Sequence, residues 1–318
     1  MKIIRKLLLA SASAALLAQP ALSQELVLRG GSYSPLEATW GIPFKMFVDH
    51  VNETGKGVLQ ITAMGPEAIP GTEQPNALRS GLLDFVAMPP GSYKHVVPES
   101  NAQDLSNMTL AEQRASGGYA ALNELTRARL NAEILTTYGP GVNFHLYLTK
   151  EIAGVEDLKG MRVRGQPIFG PFFTSLGMSM TTVPIPETYT ALERGVVSGY
   201  GFPAWGVQDL GWDKLTKIRV EPGFYNVVLN ILVNKDKLAA LSPEQRKVLD
   251  DAVIWFEAEM QDYQVAQAGI HLAAQQAAGI APLDLGEGFA RQAADAYWEE
   301  LQRDSPDTIP GLRALLQK

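Results

Sequence analysis

Cysteine does not occur among the 318 residues, so disulfides and thiol chemistry are both excluded and stability must come from a packed core. Past the first two dozen residues no apolar run approaches the roughly 20 residues needed to span a bilayer. Basic residues are outnumbered: 27 Lys and Arg face 34 Asp and Glu, without a basic stripe. That balance argues against nucleic acid and anionic membrane surfaces as partners. Histidines and carboxylates never fall at metal-ligand spacing, and there is no G-x-S-x-G nucleophile elbow, so neither a metal nor a cofactor is expected. Gly199 to Ala204 does fit the dinucleotide fingerprint G-x-G-x-x-A. The fingerprint must open a helix, however, and Pro203, Gly206 and Gly211 interrupt that segment.

Met1–Ser23 has the three parts of a secretory leader: Lys2, Arg5 and Lys6, an apolar run from Leu7 to Ala18, and a small-x-small site at Ala21-Leu22-Ser23. The expected mature protein is exported and soluble, in a bacterial periplasm. Its removal takes three bases and no acids, leaving 27 − 3 = 24 bases against 34 acids and a formal charge of −10. About 295 residues then remain, enough for two domains of ordinary size.

The mature chain opens with a strand at Glu25–Gly31, a helix at Trp40–Asn52 with Phe44, Phe47, Val48 and Val51 on one side, and a strand at Val58–Ala63. This order predicts a parallel pair and an α/β sheet. A helix at Glu73–Ser80 and a strand at Leu83–Met88 follow. Ligands in open α/β sheets sit at the carboxyl ends of strands, which points to the loops Ser32–Pro35, Gly65–Ile69 and Pro89–Tyr93. An Ala- and Leu-rich stretch predicts one helix over 109–131, followed by a strand at Glu133–Tyr138, and Gly139-Pro140-Gly141 marks a crossing to a second lobe. Phe144–Thr149, Met161–Arg164 and Ile218–Glu221 are expected strands of that lobe, and Asn226–Asn234 crosses back. Ser242-Pro243-Glu244-Gln245 starts a helix with a capping serine and a proline at the first position. Its periodicity runs to Ala278, roughly 50 Å at 1.5 Å per residue. A last helix covers Phe289–Leu301.

Within the second lobe, strand alternation puts Arg162 and Arg164 on the face opposite Met161 and Val163. A guanidinium at a strand end offers a rigid bidentate fork for a carboxylate and keeps its charge. From the residues alone a structural ion pair is the commoner explanation.

The ordered set Thr54-Gly55-Lys56-Gly57, Leu158-Lys159-Gly160-Met161-Arg162-Val163-Arg164, Tyr189 through Gly199, and Val233-Asn234-Lys235 with Leu241-Ser242-Pro243-Glu244-Gln245 resembles the solute-binding subunit of tripartite ATP-independent periplasmic (TRAP) transporters. The resemblance covers essentially the whole mature chain. It implies a two-lobe periplasmic binding protein of the type II-like α/β class, with a long helix spanning both lobes. It also implies closure on an organic acid, delivery to TRAP membrane permease subunits, and no catalysis. The expected lobes are 24–141 with 229–268, and 142–228 with 269–318.

The family's carboxylate-binding arginine falls on Arg164. Two positions depart from the family pattern. Phe144 stands where some members have a second arginine, and Phe202 stands where many have asparagine before Pro203. The branch that binds 2-oxo acids through a metal has Glu-Trp where this chain has Gly201-Phe202. These departures point to a monocarboxylate with an apolar or aromatic body, although a sulfonate or hydroxy acid fits the same clamp. The candidate ligand-binding residues are Arg164, Phe202, Trp205, Tyr225, Tyr33, Glu67, Tyr93, His145, Ile185 and Asn230. For Phe202 and Trp205 core packing fits as well as cleft lining, for Tyr225 and Asn230 strand pairing is the rival, and His145 suits a structural role. An exported hydrolase or isomerase, or a binding protein of another transporter or sensor class, is the alternative reading.

Overall fold

The computed structural model describes residues 25–318, and the leader expected at Met1–Ser23 lies outside the described residues. The opening strand–helix–strand pattern forms β1 (Leu26–Ser32), α1 (Ile42–Thr54) and β2 (Leu59–Met64), with β1 and β2 in parallel register from Leu26–Leu59 to Gly31–Met64. Phe44, Phe47, Val48 and Val51 are buried, as the helical spacing predicts. α2 (Gln74–Ser80) leads to β3 (Phe85–Met88), which lies on the other side of β1.

The helix predicted over 109–131 is in fact two, α3 (Leu110–Ser116) and α4 (Gly118–Arg129). Gly117 between them sits at φ 86°, the left-handed conformation that ends helices and that glycine takes without a Cβ penalty. β4 (Ala132–Tyr138) closes the first passage through this sheet.

The chain then builds a second sheet from β5 (Phe144–Leu148), β6 (Arg162–Arg164), β7 (Ser179–Thr181), β8 (Gly199–Pro203) and β9 (Ile218–Glu221), with α5 (Gly170–Ser175) and α6 (Ile185–Glu193) between its strands. β10 (Leu229–Asn234) crosses back and inserts antiparallel between β3 and β4. After α7 (Lys235–Ala239) and the long α8 (Pro243–Ala277), β11 (Ala281–Asp284) joins the second sheet beside β9. The strand orders are β2-β1-β3-β10-β4 and β11-β9-β5-β8-β6-β7. The fold is thus the expected pair of α/β lobes, and the two crossing segments are bonded to each other: Val227 N–H donates to Val142 O (2.7 Å) and Phe144 N–H to Tyr225 O (3.0 Å).

α8 ties the lobes together. Its start carries the full capping box, Ser242 and Gln245 each bonding the other's backbone N–H. In its first half Phe256 packs edge-on against Phe47 of α1 (5.6 Å) and Tyr138 of β4 (6.0 Å). Near its other end Gln275 bonds the Ala204 carbonyl and Arg219 of the second lobe. Among the described residues no helix is long and apolar enough to cross a membrane.

At the C-terminus, within the 269–318 segment expected in the second lobe, the chain packs back on the first. After α9 (Glu287–Asp304), α10 (Ile309–Leu316) turns Ile309, Leu312 and Leu316 inward. Ser106 and Ser116 of the first lobe bond the carbonyls of Leu316 and Leu315. That apolar face needs cover, and the surface beside α3 and α4 supplies it. For the rest of the chain we propose that the lobes divide near 141 and 228.

Phe256 is fully buried between both supports of α8. Phe256→Ala should cost about 3–5 kcal/mol, read as a loss of urea-unfolding free energy. A loss under about 1 kcal/mol would mean that α8 is not anchored through this ring.

Candidate functional site

Arg164 ends β6, paired to Thr181 of β7 and Tyr200 of β8. Arg162 two residues earlier is exposed, whereas Arg164 is only 4 % exposed. Its Nε–H donates to the Val183 carbonyl at 3.2 Å, and its guanidinium carbon lies 5.7 Å from the centre of the Trp212 ring. Its Nη1 is buried without a hydrogen-bond partner among the described residues. Burial pulls the Arg164 pKa down to about 10, and the Tyr33 hydroxyl is the group that acts in the other direction. The side chain therefore stays cationic at neutral pH with no carboxylate beside it. A buried cation without a partner costs several kcal/mol, so this arrangement calls for an anion.

Beside Tyr33, whose hydroxyl Arg164 feels, lies a cleft between the lobes of about 110 Å³. The first lobe contributes Tyr33, Trp40, Asn101 and Asp104 to its walls, and the second lobe Phe144, Gln166, Ile185 and Phe202. The lobes meet directly at its edge. Thr39 Oγ1–H donates to Asp209 Oδ2 at 2.6 Å, and Trp40 stacks on Trp205 with ring centres 5.4 Å apart.

Three of the ten candidates from the sequence line this cleft, Tyr33, Phe202 and Ile185, and a fourth, Arg164, adjoins two of them: it feels the Tyr33 hydroxyl, and the Trp212 ring beside it packs on Phe202. Phe202 packs edge-on against Trp212 (4.9 Å), so the ring that faces the cleft rests on the ring beneath the guanidinium. The neighbouring Gly201 is forced: a Cβ there would meet the Phe169 ring at 2.7 Å.

The other six lie elsewhere, each for a packing reason. Trp205 is sandwiched between Trp40 and His271 of α8, and it lines a groove behind the crossing segments together with His145. His145 bonds the Val220 carbonyl through Nδ1 (2.9 Å), and burial lowers its pKa. Tyr225 points under α9, its hydroxyl donating to the Ala293 carbonyl (2.9 Å). Tyr93 and Asn230 belong to a buried network in which Asn230 Nδ2 donates to Tyr93 Oη and Gln103 Oε1, and Thr137 Oγ1 donates to Asn230 Oδ1. Glu67 is exposed and accepts from Gly65 N–H in its own turn.

Asn101 and Asp104 were not foreseen. They sit in a 3-10 segment, Pro98–Leu105, whose polar composition reads as a surface loop, yet Glu99, Ser100, Asn101, Gln103 and Asp104 are all buried. Buried Glu99 is paired with Arg129 (2.7 Å), and buried Asp84 with Arg29 and Lys237. Asp104 has no such cation. Asn101 Nδ2 donates to its Oδ2 at 2.7 Å, while Asn101 Oδ1 is buried without a partner. Burial raises the Asp104 pKa to about 8, the Asn101 bond offsetting only part of that.

The family described as bacterial extracellular solute-binding protein, family 7, matches residues 30–303. A monocarboxylate 2-oxoacid-binding periplasmic protein of Nostoc sp. is 25% identical over 218 residues, 64% of this chain and 58% of that protein. The chain thus spans about three fifths of that relative's length. A TRAP periplasmic solute-binding protein of Sulfitobacter sp. NAS-14.1, solved with β-D-galacturonate, superposes with a TM-score of 0.80 at 17% identity, covering 92% of this chain and 99% of that one. One from Desulfovibrio desulfuricans, solved with sn-glycerol-3-phosphate, gives 0.79 at 19% identity over 92% and 95%.

The Asp104 carboxyl keeps its proton up to about pH 8 in the fold, against an ordinary value of 3.8. Between those values the folded state holds more protons than the unfolded one, so this group's contribution to stability falls as pH rises. The melting temperature of Asp104→Asn relative to the unaltered protein should therefore climb steadily from pH 5 to pH 8. A constant difference across that range would contradict the assignment.

Proposed function

The chain belongs to the bacterial extracellular solute-binding protein family 7, the solute-binding family of TRAP transporters, and we propose that it captures an organic monocarboxylate in the periplasm and delivers it to TRAP permease subunits. The observation that carries this reading is the buried Arg164, its Nη1 unpartnered among the described residues, adjoining residues that line a cleft shared by two lobes. A carboxylate received there turns an isolated charge into a charge-assisted, bidentate pair. Phe202 and Phe144 offer apolar contact to the body of the acid at little entropic cost. The Sulfitobacter and Desulfovibrio desulfuricans relatives were solved with a sugar acid and a phosphate ester, both anions. The lone arginine and the aromatic wall favour a single carboxylate for this chain.

The mechanism is hinge closure rather than catalysis. The acid enters between separated lobes and meets Arg164 on the second. The first lobe then folds over it through Tyr33 and Trp40. Closure is held by the Thr39–Asp209 bond and by the Trp40–Trp205 stack, both of which join the two lobes. The family's metal-using branch would require Glu-Trp where Gly201-Phe202 stands, so binding here is direct.

Three outcomes test the reading. A thermal-shift screen of the mature protein against mono- and dicarboxylates, sulfonates and phosphate esters should find a stabilising monocarboxylate, since a ligand of the folded state raises the melting temperature by mass action. Arg164→Ala should weaken that ligand by about 30- to several thousand-fold, the equivalent of roughly 2–5 kcal/mol. Unchanged affinity would overturn the role of Arg164. Asp209→Ala should act through release: the off-rate rises about tenfold, the scale of one hydrogen bond to a charged group, while the on-rate changes little. An unchanged off-rate would remove the Thr39–Asp209 contact from the closure mechanism.

A further inference from the structure

Asp104 lines the cleft from the first lobe, Arg164 lies on the second lobe within electrostatic reach of Tyr33 on the same cleft wall, and among the described residues neither has a partner of opposite charge. Asp104 is 3 % exposed and Asn101 1 % exposed. Oδ2 of Asp104 accepts from the Asn101 amide, and among the described residues no other side chain bonds this carboxyl. The ionisable groups that feel its charge are the hydroxyls of Tyr93, Tyr225 and Tyr297, and none of them is a cation. The other two buried carboxylates on this side of the molecule, Asp84 and Glu99, both have cations.

We propose, resting on the monocarboxylate reading above, that the ligand is a zwitterion whose carboxylate is held by Arg164 and whose protonated amine is held by Asp104 and Asn101. An ammonium group supplies N–H donors to two acceptors at once, Asp104 Oδ1 and Asn101 Oδ1, and it supplies the charge that Asp104 lacks. A plain carboxylate leaves Asn101 Oδ1 unanswered, and a second carboxylate brings it no donor either. The ligand then neutralises both lobes together, so closure buries no net charge. Asp104 stays protonated until the ammonium arrives, so capture of the amine at neutral pH should release about one proton.

Calorimetric titration with matched probes tests this. The sets are phenylalanine, 3-phenyllactate and 3-phenylpropionate; proline and cyclopentanecarboxylate; and γ-aminobutyrate and butyrate. In at least one set the amino member should bind ten times or more tighter than its counterparts. Its binding at pH 7 should release about one proton, read from heats in buffers of different ionisation enthalpy. Asp104→Asn should reduce the preference below threefold, because the amide oxygen takes the Asn101 bond and turns its NH2 toward the ligand. The melting temperature of that variant shows whether it is folded, and Asn101→Ala, which removes the second acceptor, should lower the preference on its own. If plain or hydroxy acids bind as tightly as amino acids through Arg164, the zwitterion is wrong and the monocarboxylate reading stands. If no acid of any set binds, both fall.

Discussion

A guanidinium kept out of water without a counter-ion is the constraint around which this molecule is arranged. Desolvation lowers the Arg164 pKa only to about 10, so the charge persists. What supports it is modest: one backbone carbonyl, and the face of an indole that attracts cations by its quadrupole. The second lobe is organised to hold that side chain still. β6 is fixed between β7 and β8, Gly201 lets β8 lie close to the Phe169 ring, and Phe202 and Trp212 brace one another below the guanidinium.

The first lobe answers with the reverse feature, a buried carboxyl without a cation. Asp104 opposes folding as pH rises, because its proton must stay on in the fold. Groups that work against stability in this way are found where binding needs them. Beside Asp104 lies a small cleft whose walls belong to different lobes, and on the proposed reading ligand binding and closure are coupled. The two bonded crossing segments and the length of α8 keep that motion to a hinge.

Much of this was legible in the sequence, and the pattern of what was not is physical. Apolar periodicity found β1, α1, β2, β4 and α8 because each buries a face at a fixed spacing. Turn chemistry marked the crossing at Gly139–Gly141 but did not reveal that Gly117 divides a helical pattern in two. The position of Arg164 at the end of β6 was legible through strand alternation and the family register, and Phe202 on the cleft wall through its glycine and proline neighbours. Trp205, Tyr225 and Tyr93 pack away from this cleft, and an aromatic in a loop looks the same in sequence whether it lines a cleft or plugs a core. Asn101 and Asp104 escaped because a polar stretch such as Pro98–Leu105 signals solvent, while here the fold buries it and satisfies most of it internally. β8 escaped for a related reason: a strand with glycine at alternate places shows no apolar alternation.

The central claim is that Arg164 is completed by the ligand's carboxylate, and a crystal structure of the protein with the acid selected by the thermal screen tests it most directly. The account predicts closed lobes with a carboxylate oxygen about 2.7–2.9 Å from Arg164 Nη1, the range of a charge-assisted bond. A bound acid whose carboxylate sits elsewhere, with Nη1 still unpartnered, would contradict it.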